Sequence, residues 1–329
     1  MGIIADPEMY RTTEKHWAHH PLPNYPKAFE AWYNNGSYDN GYHSSLMWLV
    51  NEGTPMANLH ICDPKGKLVV ESIQLFDPGA WSASTETLDI KMDKNNYYRG
   101  KFPRYEHYVH DGNNNGVELV YESLTQPTLG ELPDGAVIGR VSTPDTPVFF
   151  TWYFRPRCKI TGKLIVAGKE IPVTGEGLSE HEWSSGNFLD TFQYWYFGCL
   201  PIGKHTLIYM AGHLSQKLGY QDAKFLWHWK GDKLYEYCRD GDYYIQASDL
   251  DIDKASGKIF PRKLVLIFDH SRIKGTVTCN FKALMQQLVF PGEGRDVLYS
   301  NCVYDCHAKM EIDKEKIDTK FSRILEESI

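Results

Sequence analysis

From about residue 44 the chain is a succession of short apolar runs: Leu46 to Val50, Ala57 to Cys62, Lys67 to Leu75, Glu86 to Met92, Tyr97 to Tyr108 and Val117 to Ser123. Their length and their aliphatic and aromatic content predict strands. Turn chemistry separates them at Asp63-Pro64-Lys65-Gly66, at Asp111 through Gly116 and at Pro133-Asp134-Gly135, where proline or positive-φ residues reverse the chain. A hairpin follows, Cys158 to Val166 and Glu170 to Thr174 about a turn at Ala167-Gly168-Lys169. A second meander is predicted in Phe192 to Leu200, Thr206 to Leu214, Phe225 to Trp229, Lys233 to Cys238, Tyr243 to Ala247, Lys263 to Asp269, Ile273 to Asn280 and Val303 to Glu311. Helical periodicity is confined to the stretch from Asp313 to Glu327, where Ile317, Phe321, Ile324 and Leu325 are spaced by three and four and predict a short C-terminal helix. The pattern is all-β, a sandwich or barrel of antiparallel strands.

Length and composition divide and qualify this picture. A chain of 329 residues exceeds one ordinary core, so two β domains are expected, residues 1–190 and 191–329. Aromatic residues make up 14% of the chain, which suits strands and the walls of apolar pockets. A net charge of -7 with no basic stripe excludes nucleic acid as an expected partner. No window reaches the ~20 apolar residues of a membrane helix, and the N-terminus lacks the apolar run of a signal peptide. The expected location is cytoplasmic for the chain as it stands, secreted if a leader has been removed. The seven cysteines are irregularly spaced and read as mostly buried thiols; Cys302, Cys306 and His307 share one strand, which explains the spacing without a metal. Nucleotide-binding glycine motifs and the HExxH metal motif do not occur.

Three features occur in a fixed order: Glu30-Ala31-Trp32-Tyr33, the Gly-Lys-Leu-Ile-Val hairpin strand from Gly162, and Gly175 through Ser184, reading Gly-Glu-Gly-Leu-Ser-Glu-His-Glu-Trp-Ser. An aromatic strand and a Leu-Ile-Tyr-Met strand come next. This order resembles the AttH-like family, which includes carotenoid 1,2-hydratase (hydroxyneurosporene synthase), kievitone hydratase and the lipocalin-like fungal Diels-Alderases. The resemblance implies two lipocalin-like β domains, a hydrophobic small-molecule substrate, no metal and no redox cofactor. In the carotenoid hydratase a His-x-Trp pair and a later Tyr-x-Asp pair form the acid site. The first is matched by His181 and Trp183; the second is matched only at Tyr209, because Ala211 stands where the carboxylate would be. Glu180, Glu182, Asp190 and His213 are nearby groups able to take its place.

Strand alternation sends Glu180 and Glu182 to one side and His181 toward the other. An inward His181 would serve as acid, base or carbonyl donor; an inward glutamate would be kept protonated by an aromatic pocket. The structural alternative for His181 is a strand histidine held by a backbone carbonyl. Trp183, Trp32, Tyr33, Trp152, Tyr194, Tyr196 and His213 are the candidate substrate contacts, whereas His19 and His20, in a proline-rich lead-in, are expected to be solvated. Three functions stay open: a cofactor-independent cyclase acting on a terpenoid or polyketide intermediate, with or without acid-assisted loss of water; a hydratase or dehydratase acting at an alkene of an isoprenoid or phenolic substrate; and a non-catalytic carrier of a lipophilic ligand.

Overall fold

Alternating burial along runs bounded by turn residues folds most of the described residues into antiparallel strands. The computed structural model describes residues 2–3, 12–129, 142–143, 146–147, 150–186, 192–215, 222–239, 243–252, 254, 257, 259–290 and 297–328. Two compact units result: Ala5–Thr191, and Phe192–Ile329 together with Met1–Ile4.

In chain order the strands up to the second unit are β1 (Gly2–Ile3), β2 (Phe29–Tyr38), β3 (His43–Asn51), β4 (Thr54–Cys62), β5 (Leu68–Leu75), β6 (Ser82–Ala83), β7 (Asp89–Asp93), β8 (Asn96–Lys101), β9 (Arg104–His110), β10 (Gly116–Ser123), β11 (Thr128–Leu129), β12 (Ser142–Thr143), β13 (Thr146–Pro147), β14 (Phe150–Val166) and β15 (Lys169–Ser184). The first unit's sheet runs β5-β4-β3-β2-β15-β14-β10-β9-β8-β7-β6, so the long hairpin β14–β15 lies at its centre. Ala167 (φ 51°) and Gly168 (φ 79°) make the tight turn of that hairpin. Its inner face carries a core that includes Trp17, Trp32, Trp48, Tyr98, Tyr153 and Trp183. Each such side chain contributes about 1.5–3 kcal/mol by leaving water.

The second unit comprises β16 (Phe192–Ile202), β17 (His205–Leu214), β18 (Asp222–Lys230), β19 (Lys233–Arg239), β20 (Tyr243–Ile252), β21 (Ile259–Asp269), β22 (Ile273–Phe290), β23 (Val297–Ile312) and β24 (Glu315–Ser328). Its sheet order is β1-β19-β18-β17-β16-β24-β23-β22-β21-β20, with β1 pairing to β19 through Gly2 and Ile3. No helix among the described residues is long and apolar enough to cross a membrane.

The C-terminal helix expected from Asp313 to Glu327 is a strand. Asp313 (φ 52°) and Lys314 (φ 68°) turn the chain back, and β24 pairs with β23 from Ile312↔Glu315 to Tyr299↔Ser328. A spacing of four is an even number, so Ile317, Phe321 and Leu325 share one face of a strand just as they would share one face of a helix. Cys302 and Cys306 lie buried in β23, with Cys306 Sγ 3.3 Å from Cys279 Sγ, while His307 projects to the other side and meets Asp318 at 2.6 Å. The alternation of the strand accounts for that spacing.

The centre of the first sheet tolerates no side chain at Gly162, which has φ +140° and whose added Cβ would stand 2.1 Å from the Glu118 carbonyl oxygen. Gly162→Ala is expected to cost about 1–3 kcal/mol, read as a lower urea midpoint at unchanged denaturant slope.

Candidate active site

The second half of β15 is held between β2 and β14. His181 is opposite Trp32 on one side and Tyr153 on the other, Trp183 is opposite Glu30, and Ser179 is opposite Asn34 and Arg155. Alternation therefore places His181, Trp183, Trp32, Glu30, Tyr153 and Arg155 on one face. Glu180, Glu182, Trp152 and Tyr33 take the other face, where Trp152 Nε1 donates to Glu180 Oε2 at 2.6 Å. Of the motif's three titratable groups, the histidine is the one that enters the aromatic core.

The lead-in segment before β2 closes over this face. A 3-10 helix, Glu14–Trp17, is pinned by the buried Trp17, whose Nε1 donates to Thr12 Oγ1 at 2.9 Å, and Trp32 Nε1 donates to the Trp17 carbonyl at 3.0 Å. His181 Nδ1 lies 2.7 Å from the His16 carbonyl oxygen, and Nε2 lies 2.9 Å from Glu30 Oε1. Glu30 Oε1 also accepts from the His20 backbone N–H at 2.9 Å and faces His20 Nδ1 at 3.2 Å, while Oε2 is hydrogen-bonded to His19 Nδ1. The Trp32 ring stacks on His181 at 4.6 Å and 6°, and Trp183 stacks on His20 at 3.7 Å and 7°.

His19 and His20 are therefore half-buried and turned onto Glu30, rather than freely solvated as their proline-rich surroundings led one to expect. Glu30, buried in β2, requires donors, and the lead-in supplies them. Sequence reasoning missed Glu30 as well. Its signal was available: a glutamate between Phe29 and Ala31-Trp32-Tyr33 on an apolar strand is a charge that must find partners.

Burial by itself would raise the Glu30 pKa, but hydrogen bonds from His181, His19 and His20 outweigh it and hold the carboxyl well below the usual range. Burial disfavours the His181 imidazolium and Glu30 pulls the other way; in so tightly coupled a pair the two oxygen acceptors facing the ring decide where the proton rests. Neither neutral tautomer fits the contacts. With hydrogen on Nδ1, a bare Nε2 faces a carboxylate oxygen; with hydrogen on Nε2, a bare Nδ1 faces a carbonyl oxygen. One further proton, shared along the Nε2 to Oε1 line, satisfies both, so Glu30 and His181 titrate as one proton-holding unit.

His20, Glu30 and His181 also offer ligand atoms within 4.8 Å of one another, the set among the described residues able to hold a metal ion. Two ligand atoms of a tetrahedral zinc, each at ~2.0–2.1 Å, stand about 3.3 Å apart. The 2.9 Å between His181 Nε2 and Glu30 Oε1 is the length of a hydrogen bond, and the spacing favours a proton.

The remaining predicted residues lie in the second unit. Tyr209 on β17 is fully buried and its hydroxyl has no partner. Tyr194 stacks on His213 at 5.5 Å, and His213 Nδ1 is occupied by Asp222 at 2.8 Å. Asp190 lies outside the described residues. Ala211 is opposite Tyr196, and Tyr196 is opposite Glu327 of β24, so the side missing an acid at Ala211 carries one two strands away. The Glu327 carboxyl contacts the Tyr304 hydroxyl, which also lies 3.1 Å from the Pro261 carbonyl. Burial pushes Glu327 up to about 8, and Tyr196 beside it up to about 12.

Two outcomes follow from these environments. In a double-mutant cycle of Glu30→Ala with His181→Ala, coupling is expected toward the top of the ~0.5–3 kcal/mol range, against near-additivity for Glu182→Ala with His181→Ala; chemical unfolding measures both. For Glu327 the folded pKa lies above the unfolded one, so the native state binds the extra proton. Its stabilising contribution is complete below about pH 4.3 and is lost as pH rises to about 8, by on the order of 5 kcal/mol. Glu327→Gln is expected to flatten that part of the stability curve.

No family model and no curated protein matches the chain by sequence. Solved structures do match. An AttH protein from Nitrosomonas europaea superposes with a TM-score of 0.69 at 14% identity, covering 95% of each chain. Kievitone hydratase from Nectria haematococca gives 0.62 at 12% identity over 97% of this chain and 96% of that one. CghA, solved with Sch210972, gives 0.65 at 10% identity over 98% and 96%. The chain shares its lipocalin-like all-β fold with these proteins, the fold implied by the resemblance of its motifs to the AttH-like family.

Proposed function

We infer that the chain is an enzyme that moves a proton on a hydrophobic small molecule, with the Glu30–His181 pair as its acid and base. The observation that carries this reading is that both ring nitrogens of His181 face oxygen acceptors, so that the pair stores a proton inside an aromatic core. A proton held away from water by a coupled pair is available for an alkene carbon or a departing hydroxyl. Transfer to an alkene leaves a cation, which the π faces of the tryptophans around the pair stabilise. Water then adds and returns a proton to the pair, so that the net change is addition of water. Run backwards, the same steps remove it.

The likeness in fold to kievitone hydratase supports this hydro-lyase chemistry. A second reading uses the same pair as a hydrogen-bond donor that polarises a substrate during ring closure, with or without prior loss of water. The likeness to CghA, solved with Sch210972, supports uptake of a ligand by this fold. Both readings take a terpenoid, polyketide or phenolic intermediate as substrate and use no redox cofactor.

His181→Asn and Glu30→Gln are each expected to lower turnover by about 10²–10⁴ while ligand affinity changes little, measured by separate binding and product assays. Turnover in isotopically labelled water is expected to place solvent oxygen or carbon-bound hydrogen in the product. A product free of solvent label excludes the hydro-lyase and leaves ring closure; an unaltered ligand after incubation with wild type makes the protein a carrier.

A further inference from the structure

Arg155 has no surface exposure and projects from β14 onto the face that carries His181. Its guanidinium is clamped between the rings of Trp17 and Tyr105, with Cζ 3.3 Å from each centroid. Nη1 donates to Tyr98 Oη at 2.7 Å and approaches Ser179 Oγ at 3.4 Å. Nε and Nη2 are buried with no hydrogen-bond partner, and no carboxylate among the described residues pairs with this charge. Those two nitrogens form one edge of the planar group, the fork that receives two oxygens side by side.

Such an arrangement is costly. An arginine does not shed its proton on burial, and a desolvated charge with no counter-charge is strongly destabilising. Stacking on two rings offsets only part of that and satisfies no N–H. The backbone is also irregular here: the β14–β15 register shifts between Arg155 and Cys158, a bulge of the kind that re-aims a side chain. On the inner side, Tyr98 carries His107 stacked at 3.9 Å, and His107 Nε2 is likewise buried with no hydrogen-bond partner among the described residues. Burial and the Arg155 charge keep His107 neutral, well below its usual range. Trp17 and Tyr105, the two clamping rings, also line a cavity of about 450 Å³ with Thr12, Thr13, Glu14 and Phe102. Glu14 is the carboxylate of that lining, and its Oε1 is held by the Phe102 N–H at 2.9 Å.

We propose that Arg155 is the anchor for an anionic oxygen of the ligand, so that the substrate is an apolar molecule bearing a carboxylate, a phenolate or an enolate. The anion supplies the missing counter-charge and accepts from the unpartnered Nε and Nη2. Where the proton-transfer reading of Glu30 and His181 is taken with it, the anchor also sets the register of the substrate. Arg155 stands opposite Ser179, two residues before His181 on β15, roughly 7 Å along the strand. The alkene or the departing hydroxyl then lies on the His181 side of the anionic oxygen along β15.

The test uses 2-naphthoate as a carboxylate probe, 2-naphthol as its phenolic counterpart and methyl 2-naphthoate as the neutral control, with binding read by calorimetry and by quenching of tryptophan fluorescence. Wild type is expected to bind 2-naphthoate, or 2-naphthol at a pH where it is ionised, about 10–100-fold more tightly than the ester. The ionised probe that gains identifies the class of oxygen. Arg155→Met is expected to abolish that preference while leaving thermal stability unchanged or raised, because the variant removes an unpaired buried charge. Equal affinity for acid and ester in wild type, no binding of either, or a preference that survives in Arg155→Met overturns the proposal; a large stability loss with an unchanged preference marks Arg155 as a packing residue. Loss of turnover in His181→Asn is independent of these results, so failure of the anchor and failure of the acid are separately visible.

Discussion

A carboxylate buried where three histidines converge is the constraint on which the first unit's site depends. Glu30 sits on an apolar strand, and its charge is tolerable only because His181, His19 and His20 all turn toward it. That requirement fixes the path of the lead-in: the 3-10 helix, the Trp17 anchor and the stacking of Trp183 on His20 all serve to keep donors over Glu30. The His16 carbonyl, delivered by the same helix, then occupies the other nitrogen of His181. Folding and chemistry meet here, because the contacts that make the charge bearable are also those that oblige the pair to keep a proton.

Two of the buried glutamates, Glu30 and Glu327, show how environment sets the role of one residue type. Glu30 is ringed by donors and held low, whereas Glu327 has the Tyr304 hydroxyl beside it and is driven up by burial. Tyr304 has one proton and two oxygens to satisfy, the Glu327 carboxyl and the Pro261 carbonyl, an arrangement that a protonated Glu327 completes. Each unit thus contains a buried carboxyl on the inner side of its sheet, stabilised in one as a carboxylate by its hydrogen-bond donors and in the other by keeping its own proton.

Much of the fold was legible because period-two burial and turn chemistry leave a direct trace: the β14–β15 hairpin and its Ala167-Gly168 turn stand where the residues indicate. The C-terminal strand was not, since Ile317, Phe321 and Leu325 satisfy both periods and only pairing with β23 decides between them. At the site, His181, Trp183 and Trp32 could be named from the motif and its alternation, and the structure brings them together. Glu180, Glu182 and Trp152 fall on the opposite face, and Tyr209, Tyr194, Tyr196 and His213 belong to the second unit. The histidines of the lead-in escaped because an irregular segment has no period to reveal which way its side chains turn. Arg155 lies on the same face by plain alternation with Tyr153, but an arginine in a run of aromatic residues reads in the sequence as a strand-end charge turned to solvent.

The chemistry of the site turns on the location of one hydrogen atom. Neutron diffraction from crystals grown at neutral pH and exchanged into deuterated solvent reads it directly. Nuclear density is expected for one deuterium on Nδ1 of His181, facing the His16 carbonyl, and for a second between Nε2 and Glu30 Oε1. Density on a single ring nitrogen, with none between His181 and Glu30, would contradict the shared proton.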